Sequence, residues 1–222
     1  ILDIVTGAYD GDVIIDDSPV TEALQQNIAL YDKNGEMNYD VISAFIKSVR
    51  GSAPNAAVYY LARMLAGGED PKFIARRLVV LASEDIGLAN PNALLLANAC
   101  FDTVPKIGMP EAQLTLSQAT IYLATSPKSN SSAVAIWDAM SLVSKDTNNR
   151  PVPLHVRNAP TKLMKELDYG KNYKYAHDYE GNFAEQEFMP EGLEGKRLYA
   201  PGDNAQEQKI AERISRLWKG KY

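Results

Sequence analysis

Cysteine is almost missing from this chain of 222 residues, which holds Cys100 and no other. A single thiol excludes an internal disulfide and is typical of proteins from a reducing compartment. Cys100 lies inside an apolar helical run with no accompanying His or Asn motif. We therefore expect a buried, inert thiol, not a nucleophile.

Several other site signatures are also absent from the sequence. No G-x-x-x-x-G-K-[ST] phosphate loop occurs, so we expect no bound ATP in this chain. The two histidines, His155 and His177, are 22 residues apart without Cys or carboxylate at ligand spacing, which argues against a metal site. His155 is expected to pack or to form hydrogen bonds. No apolar run approaches the roughly 20 residues of a membrane span, and no basic-then-apolar leader is present. A soluble intracellular protein with no membrane partner is the expectation.

Strand signals are nearly absent, whereas helix signals recur throughout. Between residues 38 and 146, apolar residues repeat at helical spacing between short turns. The pattern predicts an all-α, multi-helix antiparallel bundle. Residues 146–204 read as a largely extended, irregular arm with one short helix, and residues 205–219 as a terminal helix. Five helix starts carry a proline at spacings of 17, 20, 19 and 17 residues: Pro54, Pro71, Pro91, Pro110 and Pro127.

The central helix of the predicted bundle begins at Asp70-Pro71 and ends near Gly87. Its apolar residues cover most of the circumference, which predicts a helix enclosed by neighbours. Two acids near its C-terminal end need a basic partner, because the helix dipole disfavours negative charge there. The partner is either an arginine of another helix or one of the same helix. The candidate ion-pair residues are Arg76, Arg77, Glu84 and Asp85. A general acid or metal role is the weaker alternative, because adjacent helical residues point about 100° apart.

The formal charge of −5 does not indicate a nucleic-acid binder, but the arm contains a basic window. Residues 145–174 hold seven basic and three acidic residues, a net charge of +4, interleaved with tyrosines. Residues 178–194 then carry six acids and no base. Lysines with aromatic rings suit single-stranded nucleic acid. The alternative is a packed arm with buried tyrosines and ordinary solvated lysines. The candidate DNA contacts are Arg157, Lys162, Lys165, Lys171 and Lys174.

Ten short segments, spread over most of the chain, together form one sequence signature. This signature resembles the C-terminal half of the replication-associated recombination protein A family (RarA, also MgsA). The eukaryotic relative of that family is the Werner-helicase-interacting protein. The segments are residues 38–44 (NYDVISA), 49–52 (VRGS), 60–65 (YLARML), 68–71 (GEDP), 74–78 (IARRL), 83–89 (SEDIGLA), 108–111 (GMPE), 124–129 (ATSPKS), 152–161 (VPLHVRNAPT) and 169–171 (YGK).

This resemblance implies an AAA+ ATPase related to clamp-loader subunits that acts on DNA at stalled or damaged replication forks. Residues 1–32 would be the remnant of the AAA+ lid. Residues 38–222 would be a helical, clamp-loader-collar-like domain associated with homotetramer assembly. The phosphate loop and magnesium-binding acids would lie outside this chain, so ATP and Mg would belong to the full-length protein alone. One departure is Ile46, which stands where the family would have a histidine.

The expected function is therefore a non-catalytic oligomerisation domain of a DNA-dependent ATPase of replication, recombination and repair. Such a protein would be cytoplasmic and nucleoid-associated, with DNA and replication proteins as partners. The alternative is a direct DNA-binding module that uses residues 145–175. Assembly needs exposed apolar surface. The candidate interface residues are Tyr60, Met64, Trp137 and Met140.

Overall fold

The computed structural model describes residues 36–221. The expected lid remnant at residues 1–32 lies outside the described residues. Every regular element from residue 36 to residue 221 is helical, and no strand occurs there. The all-α prediction is confirmed. The chain divides between Asn130 and Ser131 into two compact units, here called unit 1 and unit 2. No helix in the described range is long and apolar enough to cross a membrane.

From residue 36 onward, unit 1 is a bundle of five α-helices joined by short turns. They are α1 (Glu36–Arg50), α2 (Pro54–Ala66), α3 (Pro71–Leu81), α4 (Asn92–Ile107) and α5 (Ala112–Thr125). Two of the predicted proline starts, Pro54 and Pro71, are the first residues of their helices. Proline suits this position because its missing N–H would have no helical partner there.

The core of unit 1 is formed by apolar side chains from all five helices. Helix α5 packs against α1, α2, α3 and α4, so it occupies the middle of the bundle. The largest fully buried apolar side chains are Phe45, Val49, Met64, Ile74, Leu78, Leu81, Ile86, Leu116 and Leu123.

Helix α3 begins as the sequence predicts and ends in an unusual way. The Asp70 carboxylate accepts a hydrogen bond of 2.9 Å from the Lys72 N–H, which caps the helix. After Leu81 the chain continues as a π-helical turn over Ala82–Ile86 and a 3₁₀ turn over Gly87–Ala89. Gly87 has a φ of 48°, a conformation that glycine adopts without strain.

The expectation that α3 is the central helix, enclosed by its neighbours, is wrong, because α5 occupies the middle of the bundle. One face, formed by residues such as Ile74 and Leu78, is buried in the core. Arg76 and Val80 are exposed on the other side. Apolar residues around the whole circumference thus did not indicate burial on every side.

Unit 2 contains two longer helices, α6 (Ser131–Lys145) and α8 (Ala205–Trp218), and the short helix α7 (Lys162–Glu166). Three 3₁₀ turns, at Leu154–Val156, Ala176–Asp178 and Glu180–Asn182, interrupt an otherwise irregular arm. This agrees with the predicted all-α fold, whose irregular C-terminal arm ends in a helix.

Polar contacts hold much of unit 2 together. The fully buried Glu207 carboxylate accepts hydrogen bonds from the Ser131 hydroxyl, from the Tyr199 hydroxyl at 3.1 Å and from the Asn204 amide at 2.6 Å. These contacts join the N-terminal ends of α6 and α8 to the arm. Burial, followed by the hydrogen bond to Glu207, raises the pKa of Tyr199 to about 12.

Candidate functional site

Helix α6 has an exposed apolar face. Ala133, Ile136, Met140 and Val143 recur at helical spacing, with Trp137 beside them. The exposed fractions are 55% for Ile136, 55% for Trp137, 63% for Met140 and 71% for Val143. No residue of α6 is fully buried. This stripe, here called the α6 face, therefore presents aromatic and aliphatic surface to solvent.

The other two candidate interface residues, on α2, lie in different surroundings. Met64 is 1% exposed and belongs to the core, so it is not available to a partner of the folded chain. Tyr60 is half-buried and packs edge-on against Tyr59 with 5.3 Å between ring centroids. The exposed aromatic ring of this pair is Tyr59. Periodicity placed Tyr60 and Met64 on one face of α2, and that face points inward.

An ion-pair cluster joins α1 to the π-helical turn that follows α3. Arg50 Nε donates to Asp85 Oδ1 at 2.5 Å, and Arg50 Nη2 donates to Asp85 Oδ2 at 3.3 Å and to Glu84 Oε1 at 3.2 Å. The hydrogen bond to Asp85 raises the pKa of Arg50, although burial acts in the opposite direction. The two acids thus share one arginine that comes from another helix.

The two arginines of α3 take no part in that cluster. Arg76 lies over the Phe73 ring, with 5.2 Å between the guanidinium carbon and the ring centroid. Arg77 Nε is buried without a hydrogen-bond partner in the described part of the chain. Glu84 and Asp85 therefore do not pair with either arginine of α3.

Lys128 forms a second set of polar contacts close to this ion-pair cluster. Its ammonium group donates to the carbonyls of Leu123 at 3.0 Å, Ala124 at 3.0 Å and Ser126 at 2.6 Å, and to the Ser52 hydroxyl at 3.1 Å. Burial lowers the pKa of Lys128, and the nearby Asp85 partly opposes this effect. Lys128 thus caps the C-terminal end of α5, where carbonyl groups lack helical partners. These contacts indicate a structural role for the cluster.

The basic window of the arm is less uniform than its sequence suggests. Arg157 is held internally, since its Nε donates to the Val152 carbonyl at 2.6 Å and its Nη1 donates to the Tyr169 hydroxyl at 3.1 Å. Lys171 pairs with Asp168 at 2.9 Å. Lys162 and Lys165, on α7, are exposed.

The tyrosines in the basic window and just after it divide between the two alternatives left open by the sequence. Tyr169 is half-buried and lies against the guanidinium of Arg157, 5.0 Å from the ring centroid. Tyr173, Tyr175 and Tyr179 are exposed. Tyr169 is therefore packed within the arm, as the packed-arm alternative predicts. Tyr173, Tyr175 and Tyr179 are accessible, as the nucleic-acid-binding alternative requires.

A groove of about 420 Å³ lies beside these residues in unit 2. It is lined by residues 155–159, Gly170, Tyr173 and Phe188, and is here called the arm groove. On one side His155 Nε2 lies 2.6 Å from the Glu187 carbonyl, a hydrogen bond that ties the turn at 154–156 to the segment carrying Phe188. His155 thus has the hydrogen-bonding role expected from the sequence.

Reactive and metal-binding groups are few in the described part of the chain. Cys100 is buried, its thiol lies 3.7 Å from the Thr115 carbonyl, and burial raises its pKa to about 11. Burial and this pKa keep the thiol protonated and shielded near neutral pH. No group of three His, Cys, Asp or Glu side chains is placed to hold a metal among residues 36–221.

The fold is that of an all-helical domain. Comparison with known protein families shows to which family this domain belongs. The model described as "MgsA AAA+ ATPase C terminal" matches residues 51–218, and the model described as "AAA C-terminal domain" matches residues 1–50. The chain therefore belongs to the family of MgsA AAA+ ATPase C-terminal domains. This confirms the resemblance seen in the sequence. The division into residues 1–32 and 38–222 stays a prediction.

Curated relatives agree with this assignment. The chain is 47% identical over 206 residues to replication-associated recombination protein A of Coxiella burnetii, covering 92% of the chain and 47% of that protein. Its similarity to replication-associated recombination protein A of Escherichia coli K12 is 43% identity over 202 residues, covering 89% of the chain and 44% of the relative. The chain is 40% identical over 189 residues to ATPase WRNIP1 of Dictyostelium discoideum. This match covers 85% of the chain and 22% of that protein. The chain spans about half the length of the bacterial relatives it matches.

Proposed function

We propose that this chain is the oligomerisation domain of a DNA-dependent AAA+ ATPase that acts in replication fork maintenance, recombination and repair. In this proposal four copies form a collar similar to that of clamp loaders, which holds several ATPase modules in one assembly. The observation that carries the proposal is the exposed α6 face.

The chemistry of the α6 face suits a protein partner. Aromatic residues and methionine are enriched at the centres of protein interfaces, and tryptophan is frequent among the residues that contribute most binding energy. The α6 face combines Trp137 and Met140 with Ile136 and Val143, each at least half exposed. The opposite flank of the same helix carries the exposed Asp138 and Lys145. Because these charged residues lie on the far side of the helix, a partner could cover the α6 face without burying their charges.

A second copy of the chain is the occupant we propose for the α6 face. Most soluble oligomers are symmetric assemblies of one chain, and a twofold contact brings the same patch of both copies together. Two α6 faces would remove each other's apolar side chains from water, with about 25 cal/mol gained per Å² buried. A homotetramer needs a second contact, which the full assembly would have to supply elsewhere.

Light scattering of the purified chain tests the proposal. The wild-type chain should have the mass of an oligomer at high micromolar concentration, and Met140→Lys should shift it to a smaller species, because a charge would lie in the apolar contact. Asp138→Lys, on the polar flank of the same helix, is the matched control and should leave the mass unchanged. A wild-type chain that is strictly monomeric at this concentration would contradict the proposal.

We place ATP and magnesium binding in the part of the full-length protein that this chain does not include. The residues of this chain do not fit a nucleotide, since the sequence has no phosphate loop. The family is described as an AAA+ ATPase, and relatives carry names that refer to replication-associated recombination. DNA and replication proteins are the proposed partners of the whole protein, and the cytoplasm, at the nucleoid, is its proposed location. The role assigned to this chain is non-catalytic.

A second candidate function, direct DNA binding by the arm, is favoured by the exposed lysines and tyrosines of residues 162–179. Neutralising phosphate charge with lysines makes affinity fall steeply as salt rises. Binding of single-stranded DNA should therefore weaken between 50 and about 200 mM salt. Reversing the charge of Lys171 and Lys174 together should weaken it further at low salt. Fluorescence anisotropy measures both effects, and an absence of binding at low salt would exclude this function.

A further inference from the structure

The arm groove combines exposed aromatic rings with hydrogen-bonding groups at one place in unit 2. Tyr173 and Phe188 are each 46% exposed and contribute its aromatic lining. Arg157 and Asn158 contribute polar groups from the facing segment. The volume of about 420 Å³ lies within the range of roughly 300–1,000 Å³ that is typical of small-molecule sites. A flat, aromatic ligand with polar edges fits this lining.

The polar side of the arm groove is held in a fixed position. The Arg157 guanidinium is fixed by its bonds to the Val152 carbonyl and the Tyr169 hydroxyl. Arginine has five N–H donors, so donors remain for a ligand. Asn158 is exposed and offers both a donor and an acceptor. A fixed guanidinium loses little conformational entropy when it binds.

Gly170 lets the chain approach Arg157 closely at the bottom of the arm groove. Its φ is +73°, and a Cβ added there would lie 3.2 Å from the Arg157 carbonyl oxygen. The Gly170 N–H donates to the Leu154 carbonyl at 2.8 Å. A side chain at this position would strain the turn, so the groove depends on glycine.

The aromatic side is positioned by Glu187. One oxygen of its carboxylate accepts from the N–H groups of Phe188 at 3.0 Å and Met189 at 2.9 Å, and the other accepts from Lys221 at 2.6 Å. The Phe188 ring also packs edge-on against Trp218, with 6.4 Å between ring centroids. Tyr173 is flanked in the sequence by two exposed lysines. Lys171 pairs with Asp168 at 2.9 Å, and the Lys174 ammonium group donates to the Glu185 carbonyl at 3.1 Å.

We propose that the arm groove binds one unstacked base of single-stranded nucleic acid, with Tyr173 as the stacking surface and Asn158 and Arg157 at the edge of the base. Lys171 and Lys174 would exchange their exposed contacts with Asp168 and the Glu185 carbonyl for the phosphates on either side. Bases of single strands stack on aromatic side chains and bond through their exposed edges. This inference rests on the proposal that the arm binds DNA, and it adds a specific contact to that proposal.

The test compares a labelled thymidine oligomer with an oligomer of the same length whose bases are removed, both measured by fluorescence anisotropy on the 222-residue chain. The wild-type chain should bind the base-bearing strand on the order of ten-fold more tightly, the contribution of one stacked base. Tyr173→Ala should remove this preference and leave the affinity for the abasic strand unchanged. Tyr173→Phe should keep the preference, because the ring remains.

Tyr59→Ala is the matched control, since Tyr59 is an exposed tyrosine on α2, outside the arm and the arm groove. This variant should keep the preference for bases. A uridine RNA oligomer of the same length identifies the kind of strand that the groove takes, and tighter binding of either base-bearing strand than of the abasic strand supports the groove. Equal affinity for base-bearing and abasic strands would overturn the base-binding inference alone. Binding of neither strand would overturn the proposed DNA-binding function itself.

Discussion

Glu84 and Asp85 are adjacent in sequence but differ in burial. The Asp85 side chain is 10% exposed, whereas that of Glu84 is 37% exposed. Asp85 continues the helical spacing of the buried residues Leu78, Leu81 and Ala82 along α3. Arg50 makes a short, two-pronged contact with Asp85 and a single longer one with Glu84. Asp85 is therefore the acid on which the cluster depends.

Replacing these two acids separately tests that difference. Asp85→Asn should lower the free energy of unfolding by about 2 kcal/mol, less than the 3–5 kcal/mol of a fully buried pair because Arg50 is half exposed. Glu84→Gln should change it by about 0.5 kcal/mol or less, as expected for a partly exposed pair. Urea unfolding followed by circular dichroism measures both. Equal losses in the two variants would contradict this assignment.

The sequence contains part of the information needed to find this cluster. Helical spacing from Leu78 and Leu81 places Asp85 on the buried side, and an arginine of another helix was one of the expected partners. The identity of Arg50 could not be predicted, because it lies 35 residues earlier and only the packing of α1 beside the π-helical turn brings it close. Lys128 was missed for the same reason.

At the scale of the helix, Lys128 determines how α5 ends. Its ammonium group satisfies carbonyls of the last turn, at Leu123 and Ala124, and links them to Ser52 after α1. Lys128→Met should lower the free energy of unfolding by about 2 kcal/mol, because these carbonyls would lose a charged donor. The measurement is thermal or urea unfolding of the chain.

Lys106→Met is the matched control for that experiment. Lys106 is an exposed lysine in the last turn of α4. An exposed substitution of this kind usually changes stability by no more than about 0.5 kcal/mol. If both lysine variants lost the same stability, the ammonium contacts of Lys128 would not be the cause.

Helix α6 shows what the spacing of apolar residues in a sequence cannot predict. The sequence singles out Trp137 and Met140 on this helix, and both lie on an apolar face that also contains Ile136. Periodicity identifies the apolar side of a helix, but the surface that covers it depends on the tertiary or quaternary structure. In α2 the chain itself buries such a face, whereas on α6 the face is exposed. The predicted interface residues therefore divided between the two helices.

At the scale of the whole molecule, the two units are stabilised by different kinds of contact. Almost all fully buried apolar side chains belong to unit 1, whereas the buried residues of unit 2 are Ala184 and Glu207. Asp146 and Glu187, two carboxyl groups with a lowered pKa, lie in unit 2. Hydrogen bonds lower these pKa values, from the Asn148 N–H at Asp146 and from Lys221 at Glu187.

Acid should therefore loosen unit 2 before unit 1. A carboxyl group whose pKa is lower in the folded state stabilises fully above its unfolded pKa, and this contribution is lost as pH falls through the folded pKa. The relevant range lies below about pH 4.5. Both tryptophans, Trp137 and Trp218, lie in unit 2, so tryptophan fluorescence reports on that unit. Far-ultraviolet circular dichroism reports mainly on unit 1, which contains most of the helical residues in the described part of the chain.

We expect the fluorescence transition to occur at higher pH than the change in circular dichroism. Glu187→Gln should make the fluorescence signal less dependent on pH in this range, because the variant has no proton to bind at that position. Coincident transitions, together with an unchanged profile in Glu187→Gln, would contradict this account of unit 2.

The burial of Cys100 makes the chain suitable for site-specific labelling. The molecule has one native thiol, which lies in the core with a pKa of about 11. A maleimide reagent at neutral pH needs an accessible thiolate, so the native residue should react slowly. A cysteine introduced at an exposed position such as Asp138 would carry a fluorophore or spin label without removal of Cys100. Distances between labels on different copies would then report the geometry of an assembly directly.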